Sequence, residues 1–170
     1  SESELRKSLP ELPEEKRARL TGLGITPEHA EIYLTQPEKG RVFAEAAEML
    51  RESEMIRLAS NYLSSEVKSA IDSKEFVETV KMTAAGELSS RGAKEVLKIL
   101  QTDGGKARDI AEKNNLMQNS NESELKKIAA EVVSEEKPGV PLQYLVGQAM
   151  KKSGGRGNPI LLQKIFSEIL

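Results

Sequence analysis

The chain has 170 residues, enough for one domain of ordinary size or two small ones. Apolar residues make up 38%, charged residues 31% and aromatics 4%, with a formal net charge of −2, a balance that favours small helical units with thin cores and wet surfaces. The absence of cysteine excludes disulfides, thiolate metal sites and a cysteine nucleophile, and no apolar run approaches the roughly eighteen residues of a membrane span.

The acidic, polar N-terminus does not read as a signal peptide, so a soluble cytoplasmic protein or a fragment of one is expected, with no membrane partner. Charge is unevenly spread. Residues 1–85 carry 12 Lys and Arg against 16 Asp and Glu, whereas residues 86–170 carry 13 against 11. Residues 137–170 hold Lys137, Lys151, Lys152, Arg156 and Lys164 against Glu168 alone, so attraction for a polyanion concentrates at the C-terminal end.

Helix signals recur along the chain and strand signals are nearly absent. Pro13 opens a first helix over "EEKRARL", which Gly22 and Gly24 end. Thr26-Pro27 is a hydroxyl cap followed by a first-position proline, then "EHAEIYLT". Pro37 opens a third helix with Val42, Ala46, Met49 and Leu50 on one face. From Ser53, Met55, Leu58, Ala59, Tyr62 and Leu63 recur at helical spacing, with Val67, Ala70 and Ile71 following, and a shorter helix is predicted over 74–83. "TAAGELSS" at 83–90 then breaks the pattern, and the domain boundary is placed at its glycine, Gly86.

Ser89 or Ser90 can cap the next helix, whose stripe is Ala93, Val96, Leu97 and Leu100. "TDGG" at 102–105 reads as a turn before a short helix, "KARDIAEKN". Residues 120–135 give the clearest helix, with Asn121 and Glu124 at capping-box spacing and Leu125, Ile128, Ala129, Val132 and Val133 on one face. Pro138, Gly139 and Pro141 lead into a helix with the stripe Leu142, Leu145, Val146, Ala149 and Met150. Asn158-Pro159 starts a last helix that buries Leu162, Ile165, Phe166 and Ile169. The expectation is an all-α protein of two consecutive small helical bundles, a helical domain over 1–86 and a tail domain over 87–170.

Catalytic chemistry finds little footing. His29 is the one histidine, so a histidine zinc site is impossible, and no serine stands on a strand-turn-helix elbow. "TGLGITP" at 21–27 lacks the third glycine of a dinucleotide fingerprint, and nothing matches the phosphate-loop pattern ending in Gly-Lys-Ser/Thr. Catalytic, cofactor-binding and metal-binding residues are therefore not expected in this chain.

One stretch gathers features that suit phosphate. In "GQAMKKSGGRGNP" at 147–159, Lys151 and Lys152 end a helix, Gly154, Gly155 and Gly157 allow a close backbone approach, Arg156 sits among them, and Asn158 opens the next helix. The first N–H groups of that helix, at Ile160 and Leu161, are expected to point outward beside the cations. Each feature also has a plain role in capping: lysines suit a helix C-terminus, glycine a C-cap and asparagine an N-cap. The six aromatics, several of them on buried stripes, argue against base stacking and for a few contacts to the backbone of a folded RNA. With about three neutralised phosphates the log–log salt slope would be about −2 to −3.

Four segments carry a family resemblance: "LPELPEEKRARL" at 9–20 with "GITPEHAEIYLT" at 24–35, "LASNYLSSEV" at 58–67, "ELSSRGAKEVLKIL" at 87–100 and "YLVGQAMKKSGGRGNP" at 144–159. In this order they resemble the helical region and the YqeY-like tail of the B subunit of the tRNA-dependent amidotransferases, the GatB family. That resemblance implies a part in converting misacylated Glu-tRNA(Gln) or Asp-tRNA(Asn) to the amide, with ammonia released from glutamine by the A subunit. It implies a cradle domain, absent from this chain, that activates the carboxylate, with ATP and Mg belonging to the full-length subunit. It also implies that the helical and tail regions bind the tRNA body, the tail reaching the elbow, with tRNA and amidotransferase subunits A and C as partners. The family often has a longer insert where "KPGVPLQ" stands at 137–143. The archaeal E subunit shares both regions, and "NP" after the glycine turn is more similar to the B subunit. A scaffold that docks partner subunits through the acidic first half is the alternative reading.

Overall fold

The computed structural model describes residues 10–118 and 121–170. It is all-α among those residues: α1 Pro13–Gly22, α2 Pro27–Thr35, α3 Pro37–Leu50, α4 Ser53–Ser65, α5 Ser73–Ala84, α6 Ser90–Thr102, α7 Ala107–Lys113, α8 Glu122–Glu135, α9 Leu142–Lys152 and α10 Pro159–Ile169. An isolated antiparallel bridge pairs Leu88 with Met117. The start signals act as the sequence suggests. The Thr26 hydroxyl accepts from the His29 N–H, the Asp72 carboxylate from Lys74 and Glu75, and the Ser89 hydroxyl from Gly92. Each supplies an acceptor to an N–H that the helix itself leaves without one. Of the helix expected over 120–135, residue 120 lies outside the described residues, as do residues 1–9 of the expected first domain.

Most of the predicted stripe residues are buried, but Ala70 is exposed and Met55, Leu58, Ile128, Val133, Leu142 and Met150 are only half-buried. Ala93, Val96, Leu97 and Leu100 all face inward, whereas Met49, expected beside Leu50, is 38% exposed and Ile169 is 48% exposed. Phe43 and Ile56 also take places in the core, although neither falls on a predicted stripe.

The core divides elsewhere than the sequence suggests. One apolar cluster runs from Leu20 to Ala111 and passes through residue 86 without a break, with Val80, Met82, Leu88 and Ala93 all inside it. A second cluster begins at Leu125 and ends at Phe166. "TAAGELSS" is a tight turn within the first core: the N–H groups of Glu87 and Leu88 both return to the Met82 carbonyl, at 2.9 and 3.3 Å, and Gly86 has φ +77°. The expected division at 86 therefore does not coincide with a break in packing, which falls between Met117, packed against the first cluster, and Leu125, in the second. The first unit holds α1–α7 and the second is a three-helix unit of α8–α10.

A polar network, buried at Tyr33 and Ser60 and half-buried at His29 and Ser64, ties α2 to α4. The Tyr33 hydroxyl lies 2.7 Å from Ser60 Oγ, and Ser60 Oγ lies 3.1 Å from His29 Nδ1. His29 Nε2 in turn meets Ser64 Oγ at 3.0 Å, so both ring nitrogens bridge to serines of one helix. Tyr33 also stacks on Phe43, with ring centroids 4.5 Å apart. A Cβ placed on Gly40 would stand 2.6 Å from the Tyr33 carbonyl oxygen, which explains a glycine inside α3.

Burial pushes the Tyr33 phenol from 10.0 up to about 12, against the opposing pull of its Ser60 hydrogen bond. Between those values the unfolded chain has released a proton that the folded protein keeps. Stability is therefore expected to fall as pH rises from about 10 to about 12, by about 2–3 kcal/mol. Urea denaturation at stepped pH checks this. Because lysines titrate in the same range, the informative quantity is the difference from Tyr33→Phe, whose profile should lack this part of the decline.

Candidate nucleic-acid interface

The bend between α9 and α10 is built first by helix-ending chemistry. The Ser153 N–H donates to the Ala149 carbonyl at 3.0 Å, Gly154 to Lys151 at 3.1 Å and Gly155 to Met150 at 2.8 Å. Gly154 and Gly155 have φ of +68° and +79°, the left-handed pair that a returning helix end requires. Gly157 serves a different need. It is buried, and a Cβ there would stand 2.9 Å from Ser153 Oγ and 3.0 Å from Leu162 Cδ1. Its N–H donates to Ser153 Oγ at 2.9 Å. The Asn158 side chain then accepts from Ile160 and Leu161 at 3.1 and 3.3 Å.

These bonds correct part of the expected site. The N–H groups of Gly154, Gly155, Arg156, Gly157, Ile160 and Leu161 all have acceptors within the chain. They do not form an outward-facing cradle, because capping and packing already use them. Three glycines look like an excess for one turn; two supply the reversed backbone and the third lets α10 close on Ser153.

The cations divide as well. Lys152 Nζ lies 2.8 Å from Glu135 and 3.6 Å from Glu131, both on α8, and Glu135 raises its pKa through that hydrogen bond. Lys151 and Arg156 are exposed, and neither forms an ion pair with a described residue. The paired acids make the C-terminal charge smaller than residues 137–170 alone suggest. Residues 121–170 carry seven Lys and Arg against six Asp and Glu, so α8 offsets most of the excess on α9, α10 and their bend.

Five of the six aromatics are buried: Tyr33, Phe43, Tyr62, Phe76 and Phe166. Tyr144 is 45% exposed and its hydroxyl is 3.4 Å from Glu136. Apart from Tyr144 the surface offers cations without aromatic faces, an arrangement better suited to holding phosphates than to stacking on unstacked bases.

Among the described residues no three His, Cys, Asp or Glu side chains converge on a place that could hold a metal ion. No described helix is long and apolar enough to cross a membrane.

Comparison with known proteins was consistent across relatives. The chain is 32% identical to the B subunit of the aspartyl/glutamyl-tRNA(Asn/Gln) amidotransferase of Shouchella clausii (strain KSM-K16), over 96% of this chain and 38% of that protein. It is 33% identical to the protein of the same name from Bacillus pumilus (strain SAFR-032), over the same shares. To that of Persephonella marina (strain DSM 14350 / EX-H1) it is 29% identical, over 98% of this chain and 40% of that protein. The chain thus spans about two fifths of the length of these curated relatives. The family profile described as GatB domain matches residues 33–170, which takes in most of the first core and all of the second. The chain belongs to the GatB domain family.

Proposed function

We propose that this chain is the tRNA-binding, non-catalytic part of an amidotransferase B subunit. It would hold misacylated Glu-tRNA(Gln) or Asp-tRNA(Asn) while a cradle domain outside this chain carries out the ATP-dependent transamidation. The observation that carries the reading is the pair Lys151 and Arg156, exposed on either side of a glycine bend and without acid partners among the described residues. Family membership and the names of the relatives support it. Two such cations on a bend capped at both ends suit the ribose-phosphate exterior of a folded RNA. They position it and leave its sequence unread. Lys152 belongs to the same rim and joins only when α8 releases it.

Titrating the 170-residue protein with tRNA at stepped salt tests the reading. Affinity is expected to be modest and to fall with a log–log slope of about −2, one step shallower than three open cations would give. Equal affinity at low and high salt, or none at either, would reject it.

A further inference from the structure

A second cation-rimmed feature lies far from the bend in sequence, on the first unit. The opening turn of α3 and the α4–α5 connection enclose a cavity of about 390 Å³ that opens to solvent. Its floor is apolar, made by the buried Val42, Leu63, Val67 and Ile71 together with the exposed Pro37 and Ala70. Its rim carries Lys39 and Lys68. Neither lysine forms an ion pair with a described residue, whereas Arg41 on the same rim is held by Glu38 and Glu45 at 3.3 and 3.0 Å. Two unneutralised ammonium groups stand here within a half of the chain that is net acidic.

The rim is also preformed. Gln101 on α6 fixes the loop that carries Lys68: its Oε1 accepts from the Lys68 and Ser69 N–H groups at 2.7 and 3.1 Å, and its Nε2 donates to the Glu66 carbonyl at 3.0 Å. Lys39 Nζ donates to the Ser64 carbonyl at 3.4 Å. Burial, and after it the charge of Lys68, lower the Lys39 pKa, and the acid on the rim, Glu38, is turned to Arg41 rather than to either lysine. Preformed charge and preformed apolar surface reduce the ordering that a ligand must impose.

We propose that this cavity docks a segment of a partner protein in which an apolar side chain is flanked by carboxylates. The apolar group would cover the floor while the carboxylates meet Lys39 and Lys68. A phosphodiester chain would satisfy the lysines and leave the floor wet, and no aromatic residue lines the cavity to receive a base. Charge complementarity and an apolar anchor together therefore favour protein over RNA. This site is independent of the bend between α9 and α10, and its failure would leave the tRNA reading untouched.

The test is a methyl and amide NMR titration of the 170-residue protein with an N-acetylated, C-amidated pentapeptide, a leucine between two Glu-Asp pairs. Control peptides replace the leucine by serine or all four acids by lysine, and a short RNA duplex is titrated separately. The acidic leucine peptide is expected to shift the Val42, Leu63 and Val67 methyls saturably and the controls to do so at least tenfold more weakly. Lys39→Glu with Lys68→Glu should weaken that binding at least tenfold. Lys151→Glu with Arg156→Glu should leave it unchanged. No saturable shift, equal response to the lysine peptide, or tighter binding of the RNA at these methyls would overturn the proposal. So would self-association in sedimentation that the Lys39 and Lys68 reversals abolish, since that would assign the cavity to a second copy. The spectra of each variant show directly that it remains folded.

Discussion

Phe166→Ala is expected to unfold α8–α10 while leaving α2–α7 protected. Phe166 is fully buried in the second apolar cluster, where α8, α9 and α10 each contribute to a core of Leu125, Ala129, Leu145, Ala149 and Leu162 around it. Truncating a buried phenylalanine costs about 3–5 kcal/mol. A unit of some 50 residues is stabilised by only about 3–7 kcal/mol, so the loss is comparable with the whole. The first core contains no residue of these three helices, so it should keep most of its own stability. Hydrogen exchange resolved by residue would show lost protection over 122–169 and retained protection over α5 and α6. Phe76→Ala, at the centre of the other cluster, should give the reverse pattern. A uniform loss across both units in either variant would mean that the chain unfolds as one cooperative body.

The place where the core divides is harder to read from sequence than the helices are. Several helix starts are legible because the cap is a residue with a side-chain acceptor: Thr26, Ser89, Asn121 and Asn158 all accept from the N–H groups they precede, while Pro13 and Pro37 mark starts that have no such cap. A boundary has no such local chemistry. Gly86 and two serines look like a linker, yet Gly86 only reverses the backbone, Leu88 is buried, and Ser89 at once caps the next helix. The stronger mark is "QNSNESE" at 118–124, seven polar residues with no apolar side chain to bury. It merges with the start of the next helix because Asn121 caps there so plainly.

The candidate site is legible in part for a similar reason. Residue types predict a bend with cations, and the bend exists. They do not show that Asn158 takes the N–H groups of Ile160 and Leu161, or that Gly157 is filled from three sides by Ser153, Leu162 and Met150. Nor do they show which lysine is held. Glu131 and Glu135 are four residues apart and so share a face of α8, a visible acidic stripe. That this face meets Lys152 rather than Lys151 depends on how α9 packs against α8. The cavity rimmed by Lys39 and Lys68 brings residues 29 apart together through the folded-back path of α4, and no spacing rule marks it.

The division among the cations leads to a prediction in two opposite directions. Lys151→Glu with Arg156→Glu is expected to weaken tRNA binding about tenfold or more at low salt, across tRNAs alike, and to flatten the salt slope toward zero. Lys152→Gln should do far less, because Glu135 and Glu131 already hold that ammonium within the chain. Neutralising those two acids as glutamines should act the other way. It frees Lys152, removes two negative charges beside the bend, and is expected to tighten binding and steepen the slope from about −2 to about −3. The structural cost should be small, since all three side chains are solvent-accessible and ion pairs of that kind contribute at most about 1 kcal/mol. Filter binding or fluorescence anisotropy with one tRNA at three salt concentrations would separate these outcomes. Weakening by the Glu131 and Glu135 substitutions would show that α8 itself touches the RNA. No change on reversing Lys151 and Arg156 would remove the bend from the interface altogether. The opposed signs matter because a variant that merely loosens the three-helix unit would weaken binding in every case. Only an interface made by exposed ammonium and guanidinium groups predicts that removing their intramolecular competitors improves it.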